Sequence, residues 1–248
     1  MRKNIVSNII IPILFVLGGT SIALYSTTLL VELRLKSQVE HTEKERAVSP
    51  EERLSEYDHI FEEMGEKYEL DWVLLAAIAH TESKFQADAK SPVGARGLMQ
   101  VMPHVARNMG YTKKELYDVR TNVEIAAQLL IENKKMLRLP AGFDEEEGLK
   151  FLLACYNAGY SRIDDARDVA RYYEADADNW SIVGLFLSWL SDPEFYELDF
   201  VESGAFYGSQ ETLDYVERVT KAYDNYTKIV QERTSKTKNE VPEGTSLQ

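Results

Sequence analysis

Glu82 stands at the end of an apolar stripe. Leu75, Ile78, Ala79 and Glu82 are spaced at i, i+3, i+4 and i+7, which puts them on one face of a helix. A carboxyl held among apolar side chains is penalised in its charged form, so its pKa should rise. The partial negative charge of a helix C-terminus acts in the same direction. A glutamic acid that keeps its proton near neutrality is what a general acid requires. An exposed glutamate at a fraying helix end has the same local pattern, so spacing alone leaves both readings open. Other chemistries find less support. His80-Thr81-Glu82 is not a zinc signature, because His80 has no second histidine four residues on. The histidines His41, His59, His80 and His104 form no metal cluster in the sequence, and no cofactor or metal is expected. Cys155 is the single cysteine, so an internal disulfide is impossible. It reads as a small buried side chain. A Cys-His-Asn protease reading lacks any supporting motif.

Three further segments add residues of sugar-binding type. Ser91 to Pro103 reads SPVGARGLMQVMP, Ala154 to Ile163 reads ACYNAGYSRI, and Tyr207 to Val219 reads YGSQETLDYVERV. Gly97 permits a close backbone turn. Met99 has a core reading as well as a functional one. Gln100 offers a long amide suited to hydroxyl recognition. Together with HTESKF at His80 to Phe85, these segments resemble the lytic transglycosylase family with a goose-type lysozyme fold. Glu82-Ser83, Gly97-Leu98-Met99-Gln100, Tyr156-Asn157-Ala158-Gly159, Glu211-Thr212 and Tyr215-Val216 occur in the family's order. Each pair is weak alone, and the ordered set is specific. The resemblance covers about residues 55–230.

That resemblance implies an activity and a set of roles. The substrate would be the β-1,4 bond between N-acetylmuramic acid and N-acetylglucosamine in peptidoglycan strands. Glu82 would protonate the bridging oxygen, then accept the proton of the muramic C6 hydroxyl as that hydroxyl closes a 1,6-anhydro ring. Ordinary glycosidases use two carboxylates. An internal hydroxyl in place of water makes one sufficient, and the motifs contain no second acid paired with Glu82. Ser83 resembles the family serine that bonds near the reacting sugar. Met99 and Gln100 look like residues lining the cleft, and Tyr156 and Asn157 like the pair in the sugar groove. Tyr215 resembles the tyrosine that bonds the catalytic glutamate, with a core tyrosine as the alternative. Glu211 reads as structural, a partner of backbone or of a cation near the cleft. Cys155 departs from the alanine usual at its position.

The stretch from Asp165 to Val216 is longer than in simple members of the family. It looks like the catalytic domain of the membrane-bound F branch. That branch carries a solute-binding domain before the catalytic one, and the space here is too short for it. Regulation through such a domain is therefore in doubt. A hydrolytic muramidase and a catalytically silent glycan-binding scaffold remain alternatives on the same fold. A helical membrane adaptor would explain an anchor but not the ordered motifs.

The elements that must position these residues read as helical almost throughout, giving an all-α, lysozyme-like domain around a buried central helix. Ser49-Pro50-Glu51-Glu52 is a capping box with proline at the first helical position. It predicts a helix to about Glu69. Asp71 should cap the helix WVLLAAIAHTES, which is apolar nearly all round and so belongs in the centre. Residues 86–97 read as a loop, and Pro103 opens a short helix that stops at Gly110. Thr112 with Glu115, Thr121 with Glu124, Asp144 with Glu147 and Ser161 with Asp164 predict further helix starts. A short apolar helix is expected over 180–190, and Ser209 should begin a long one to about Arg233. No strand alternation or internal repeat is evident.

The 248 residues are 44% apolar and 28% charged, the composition of a globular domain rather than a disordered chain. A net charge of −13 argues against nucleic-acid binding. Ile5 to Val31 contains no charged residue. A helix of that length can span a bilayer, which needs roughly 20 apolar residues. The apolar part of a secretory signal is shorter, about 7–15 residues. The run continues past the small residues Ser21 and Ala23, so a retained anchor is favoured over a cleaved signal. No lipobox cysteine accompanies it. Arg2 and Lys3 precede the run, but Arg34, Lys36, Lys44 and Arg46 follow it, so charge alone does not orient it. The expected organisation is an anchor or signal over 1–31, a juxtamembrane stalk over 32–50, the catalytic domain over 51–233 and a polar tail over 234–248. The expected partners are peptidoglycan strands and, through the N-terminal helix, a membrane.

Overall fold

The structure, a computed structural model, describes residues 55–240. The apolar run at Ile5–Val31 and the capping box at Ser49–Glu52 lie outside the described residues. Among the described residues no helix is long and apolar enough to cross a membrane.

The described residues form nine α-helices and one 3-10 turn, with no β-strand. They are α1 (Asp58–Tyr68), α2 (Trp72–Ser83), α3 (Pro103–Asn108), α4 (Val119–Leu137) and α5 (Glu145–Ala158), then α6 (Tyr160–Tyr172), α7 (Trp180–Trp189), α8 (Pro193–Tyr196) and α9 (Ser209–Glu240). The 3-10 turn Glu115–Tyr117 lies between α3 and α4.

The sequence of α2 dictates its place. Val73, Leu74, Leu75, Ala76, Ala77, Ile78 and Ala79 are consecutive and all buried. A helix apolar on every side must be surrounded. Helices α1 and α9 pack directly on α2, and α5 packs along α9. Complete burial of a side chain such as Leu75 or Ile78 is worth about 1.5–3 kcal/mol. Asp71 caps α2 by accepting from the Val73 N–H at 2.8 Å. Its other carboxylate oxygen accepts from the Tyr223 hydroxyl of α9 at 2.5 Å, so the same residue starts α2 and fastens the last helix to it.

Two expected helix starts need correcting. The start assigned to Thr121 belongs to Asp118, whose carboxylate accepts from the Thr121 N–H at 2.9 Å. Helix α6 begins after Gly159, with no side-chain cap, rather than at Ser161. Only the first of these starts has a side-chain cap, that of Asp118. Thr112 and Glu115 do form their box: the Thr112 N–H donates to the Glu115 carboxylate at 2.7 Å. It opens only the 3-10 turn. Asp144 caps α5 through the Glu147 N–H, while the Glu147 side chain reaches the Trp180 N–H of α7. The last helix continues past Arg233 to Glu240.

Candidate active site

Glu82 lies in the last turn of α2, and the chain leaves that helix abruptly. Lys84 and Phe85 both adopt the left-handed conformation, with φ of 54° and 62°. Such a conformation costs a non-glycine residue roughly 1–2 kcal/mol. Strain of this kind gathers where a site must be held in one shape. Glu82 itself is half-buried. Burial pushes its carboxyl up to about 7, against the opposing pull of the Tyr215 hydroxyl and the Arg218 charge; the Glu211 charge adds to the rise. Glu82 therefore carries a proton for a large fraction of the time at neutral pH. His80, two residues back, packs between the rings of Phe85 and Tyr226 at 5.5 and 5.8 Å. Burial, with the Lys84 charge, depresses its imidazole to about 4, so it stays neutral beside the site.

Three segments converge on Glu82. The first is one face of α9, where Glu211, Tyr215 and Arg218 follow at i, i+4 and i+7. Tyr215 is buried, and burial and the Glu82 charge raise its phenol well above the ordinary value. Its hydroxyl meets no acceptor at full hydrogen-bonding geometry, yet it bears on Glu82. Arg218 and Glu211 form an ion pair at 2.7 Å. Glu211 thus holds the Arg218 cation on α9.

The second segment is the end of α5. The phenol of half-buried Tyr156 is raised by burial and by the Glu82 charge, and its hydroxyl donates to the Met99 carbonyl at 2.8 Å. Exposed Asn157 accepts from the buried Thr212 hydroxyl of α9 at 2.8 Å, so its amide nitrogen is left for solvent or a ligand. Cys155 is buried just before them, and burial pushes its thiol up to about 12, away from the reactive thiolate form.

The third is the turn Gly97–Gln100. The Gln100 N–H and the Gln100 side-chain amide both donate to the Gly97 carbonyl, at 3.1 and 2.8 Å. This leaves the Gln100 side-chain oxygen as its free acceptor. Gly97 has φ +74°, and a Cβ there would lie 2.2 Å from the Leu116 carbonyl oxygen and 2.7 Å from the Asn122 amide nitrogen. Only glycine fits. The buried Asn122 side chain staples the turn: it accepts from the Met99 N–H at 2.7 Å and donates to Arg96 O at 3.1 Å and Leu116 O at 3.0 Å. From α2, the Ser83 hydroxyl donates to the Leu98 carbonyl at 2.7 Å.

The residues singled out from sequence thus fall into two groups. Glu82, Gln100, Tyr156 and Asn157 keep exposed surface at the site. Ser83, Met99 and Tyr215 are buried. Met99 contributes its backbone to the turn, and the hydroxyl of Ser83 is committed to internal bonds. Sequence reasoning missed Asn122 and Arg218, and it named Thr212 only as part of a motif, with no role. Asn122 carries a usable signal, since it shares a stripe with Ile125 and Ala126 and is polar where that stripe is apolar. Among the described residues no three His, Cys, Asp or Glu side chains are grouped to hold a metal ion. A groove of about 460 Å³ lies between α7 and α9, lined by Trp180, Leu185, Leu213 and Val216 among others, and does not include Glu82.

Comparison with known proteins gives a consistent picture. Residues 59–180 match the transglycosylase SLT domain family. Membrane-bound lytic murein transglycosylase F 1 of Alkalilimnicola ehrlichii is 32% identical over 197 residues, covering 79% of this chain and 37% of the relative. Membrane-bound lytic murein transglycosylase F of Sodalis glossinidius is 33% identical over 174 residues, covering 68% and 35%. The chain therefore spans about a third of the length of these curated relatives. An inactive mutant of the lytic transglycosylase Slt from Pseudomonas aeruginosa shares the fold, with TM-score 0.50 and 21% identity over 71% of this chain and 24% of that one. The family match spans α1 to α6, so the resemblance to lytic transglycosylases read from the sequence holds over the core of this chain.

Proposed function

We propose that the chain is a peptidoglycan lytic transglycosylase with Glu82 as its single acid and base. The observation that carries this reading is the Glu82 carboxyl, half-buried among Tyr156 and Tyr215 with its pKa raised to about 7. Such a group is poised to give up a proton and to take one back at the same pH. In the first step the Glu82 proton passes to the bridging oxygen as the bond from the N-acetylmuramic C1 breaks. In the second the Glu82 carboxylate takes the proton of the C6 hydroxyl as that oxygen bonds to C1. The proton count on Glu82 closes over the cycle, and no water is consumed. The family match over residues 59–180 and the names of the relatives support the substrate class.

The roles of the neighbours follow from what each side chain leaves free. Asn157 offers its amide nitrogen and Gln100 its side-chain oxygen to sugar hydroxyls. Tyr156 offers an aromatic face, its hydroxyl being tied to Met99. Tyr215 is placed to bond Glu82 when it ionises. Ser83 and Met99 act beneath the surface, by holding the turn that carries Gln100. Glu211, the other carboxylate bearing on Glu82, is ion-paired with Arg218 rather than free to activate water.

The uncharged run Ile5–Val31 is proposed to anchor the chain in a membrane, with the SLT domain on the side that faces the wall. The membrane-bound relatives support that placement. Incubation of the full chain with intact sacculi tests the reaction. Products one water lighter than reducing-end muropeptides are expected. Reducing-end products would establish hydrolysis, and binding without release would establish a silent scaffold.

A further inference from the structure

Arg162 is a cation held beside Asn157 with no acid to neutralise it. It lies in the first turn of α6, just past the end of α5 that carries Tyr156 and Asn157. Its guanidinium donates to the Ala158 carbonyl at 3.1 Å, one residue from Asn157. The same group stacks on the Phe206 ring at 5.0 Å, and its Nε is buried with no hydrogen-bond partner. Arg120, Arg167, Arg171 and Arg218 each hold a carboxylate, whereas among the described residues no carboxylate pairs with Arg162. Asp165, on the same helix, has its two oxygens taken by the Glu202 and Ser203 N–H groups at 3.0 and 2.9 Å. Burying a charge costs free energy unless it is paired, and the planar fork of a guanidinium fits a carboxylate. We infer that Arg162 is a specificity residue that binds a carboxylate carried by the glycan strand at the Asn157 end of the site. The inference rests on the proposed action on peptidoglycan and names the group of that substrate that is held.

The fold fixes this guanidinium from two sides. Phe206 comes from the loop between α8 and α9, and that loop is fastened along its length. Asp165 holds it at Glu202 and Ser203, and the Phe206 N–H donates to the Leu190 carbonyl at 2.8 Å. The Phe206 ring packs on Gly208 so closely that a Cβ there would lie 2.8 Å from it. The Thr212 hydroxyl lies 3.2 Å from the Gly208 carbonyl and donates to the Asn157 side chain at 2.8 Å. Arg162, Phe206, Gly208, Thr212 and Asn157 thus form one closed circuit of contacts. It sets the cation beside the amide that Asn157 leaves free. Sugar hydroxyls and N-acetyl groups carry no charge, so the anionic group of the strand is carboxylate. Each N-acetylmuramic residue has a lactyl carboxyl. It is free in a bare strand and amide-linked where a peptide is attached, and the peptide then supplies carboxylates of its own. A chain of net charge −13 repels such a strand at long range. A fixed cation beside the sugar groove opposes that repulsion where the strand must lie.

The test measures strand binding by the full 248-residue chain in detergent micelles, with E82Q in every variant so that no strand is cut. The probes are bare strands with free lactyl carboxylates, the same strands as methyl esters, strands with intact peptides, and peptide strands with their carboxylates amidated. R162Q should raise Kd about tenfold on a carboxylate-bearing strand and by less than about twofold on its neutralised counterpart. A loss confined to the bare strands assigns the lactyl carboxylate, and a loss confined to the peptide strands assigns the peptide carboxylates. R162K keeps the charge without the fork and should fall between the parent and R162Q. F206L removes the stacking surface and should cost a few-fold of the same preference. Equal losses on charged and neutralised strands would make Arg162 a structural residue and overturn the inference, as would no loss on any strand. Binding is read apart from cleavage. A parent chain that releases nothing from sacculi would therefore remove the proposed reaction and leave the Arg162 result standing.

Discussion

The Ser83 hydroxyl donates to the Leu98 carbonyl at 2.7 Å, joining the residue next to Glu82 to the turn on the opposite side of the site. The same oxygen accepts from the Gln86 N–H at 3.2 Å. One small side chain therefore closes α2, starts the following loop and fixes the turn carrying Gln100. Ser83→Ala should lower unfolding free energy by about 1–3 kcal/mol, because the Leu98 carbonyl is left without its partner. Urea denaturation of the full chain measures it. A loss of only a few tenths would mean that the bond holds nothing in place.

Asn122 makes the same kind of link from α4, with three bonds to the turn and its flanks. Asn122→Ala strands the Met99 N–H and the Leu116 carbonyl in a buried place, while the Arg96 carbonyl keeps the Val101 N–H at 3.0 Å. A destabilisation of about 3 kcal/mol is expected, together with faster hydrogen exchange at Met99. Unchanged exchange there would remove Asn122 from the account of the site.

Asn122 also marks the limit of what was legible in the sequence. The apolar run of α2 placed it at the centre, and the stripe ending at Glu82 placed a carboxyl at its edge. Both follow from local spacing. Asn122 directly follows Thr121 in a stretch that reads as a helix start, and its partners at Arg96 and Leu116 come from two earlier segments. Bonds between segments distant in sequence leave no periodic trace. Arg218 was hidden differently: it looks like any solvated arginine on a final helix until Glu82 is known to lie against that face. The helix starts at Thr121 and Ser161 were misplaced because a capping pattern only says where a cap is possible.

The raised Glu82 pKa carries a stability cost with a defined pH window. The folded-state value of about 7 lies above the ordinary 4.5 for glutamate. Between those values the folded chain binds more protons than the unfolded chain, so stability falls as pH rises through the window. Glu82→Gln removes this dependence. Its stability relative to the parent should rise between pH 4 and pH 8 by about 1–3 kcal/mol, reduced from the full linkage value by the exposure of the carboxyl. Chemical denaturation at the two pH values checks it. A constant difference would mean that Glu82 titrates normally.

Tyr215 is expected to serve the ionised state of Glu82 rather than the fold. Its hydroxyl is buried without a fully formed hydrogen bond. Tyr215→Phe keeps the packed ring, so its stability should change by less than about 1 kcal/mol. The loss of a donor to the carboxylate should raise the Glu82 pKa and move the basic limb of activity upward. Turnover at the optimum should fall about tenfold, as expected for a hydrogen bond to a charged group. Parental turnover with an unshifted limb would reduce Tyr215 to a core residue.

The central claim is that one carboxyl, Glu82, carries the whole proton cycle of glycan cleavage. Its most direct test is the release of anhydro-muropeptides from sacculi by the full chain and by Glu82→Gln at pH 6. General acid-base catalysis contributes about 10²–10⁴-fold, and the loss of the proton donor should reduce release by at least the lower end of that range. Release by Glu82→Gln within a few-fold of the parent would contradict it.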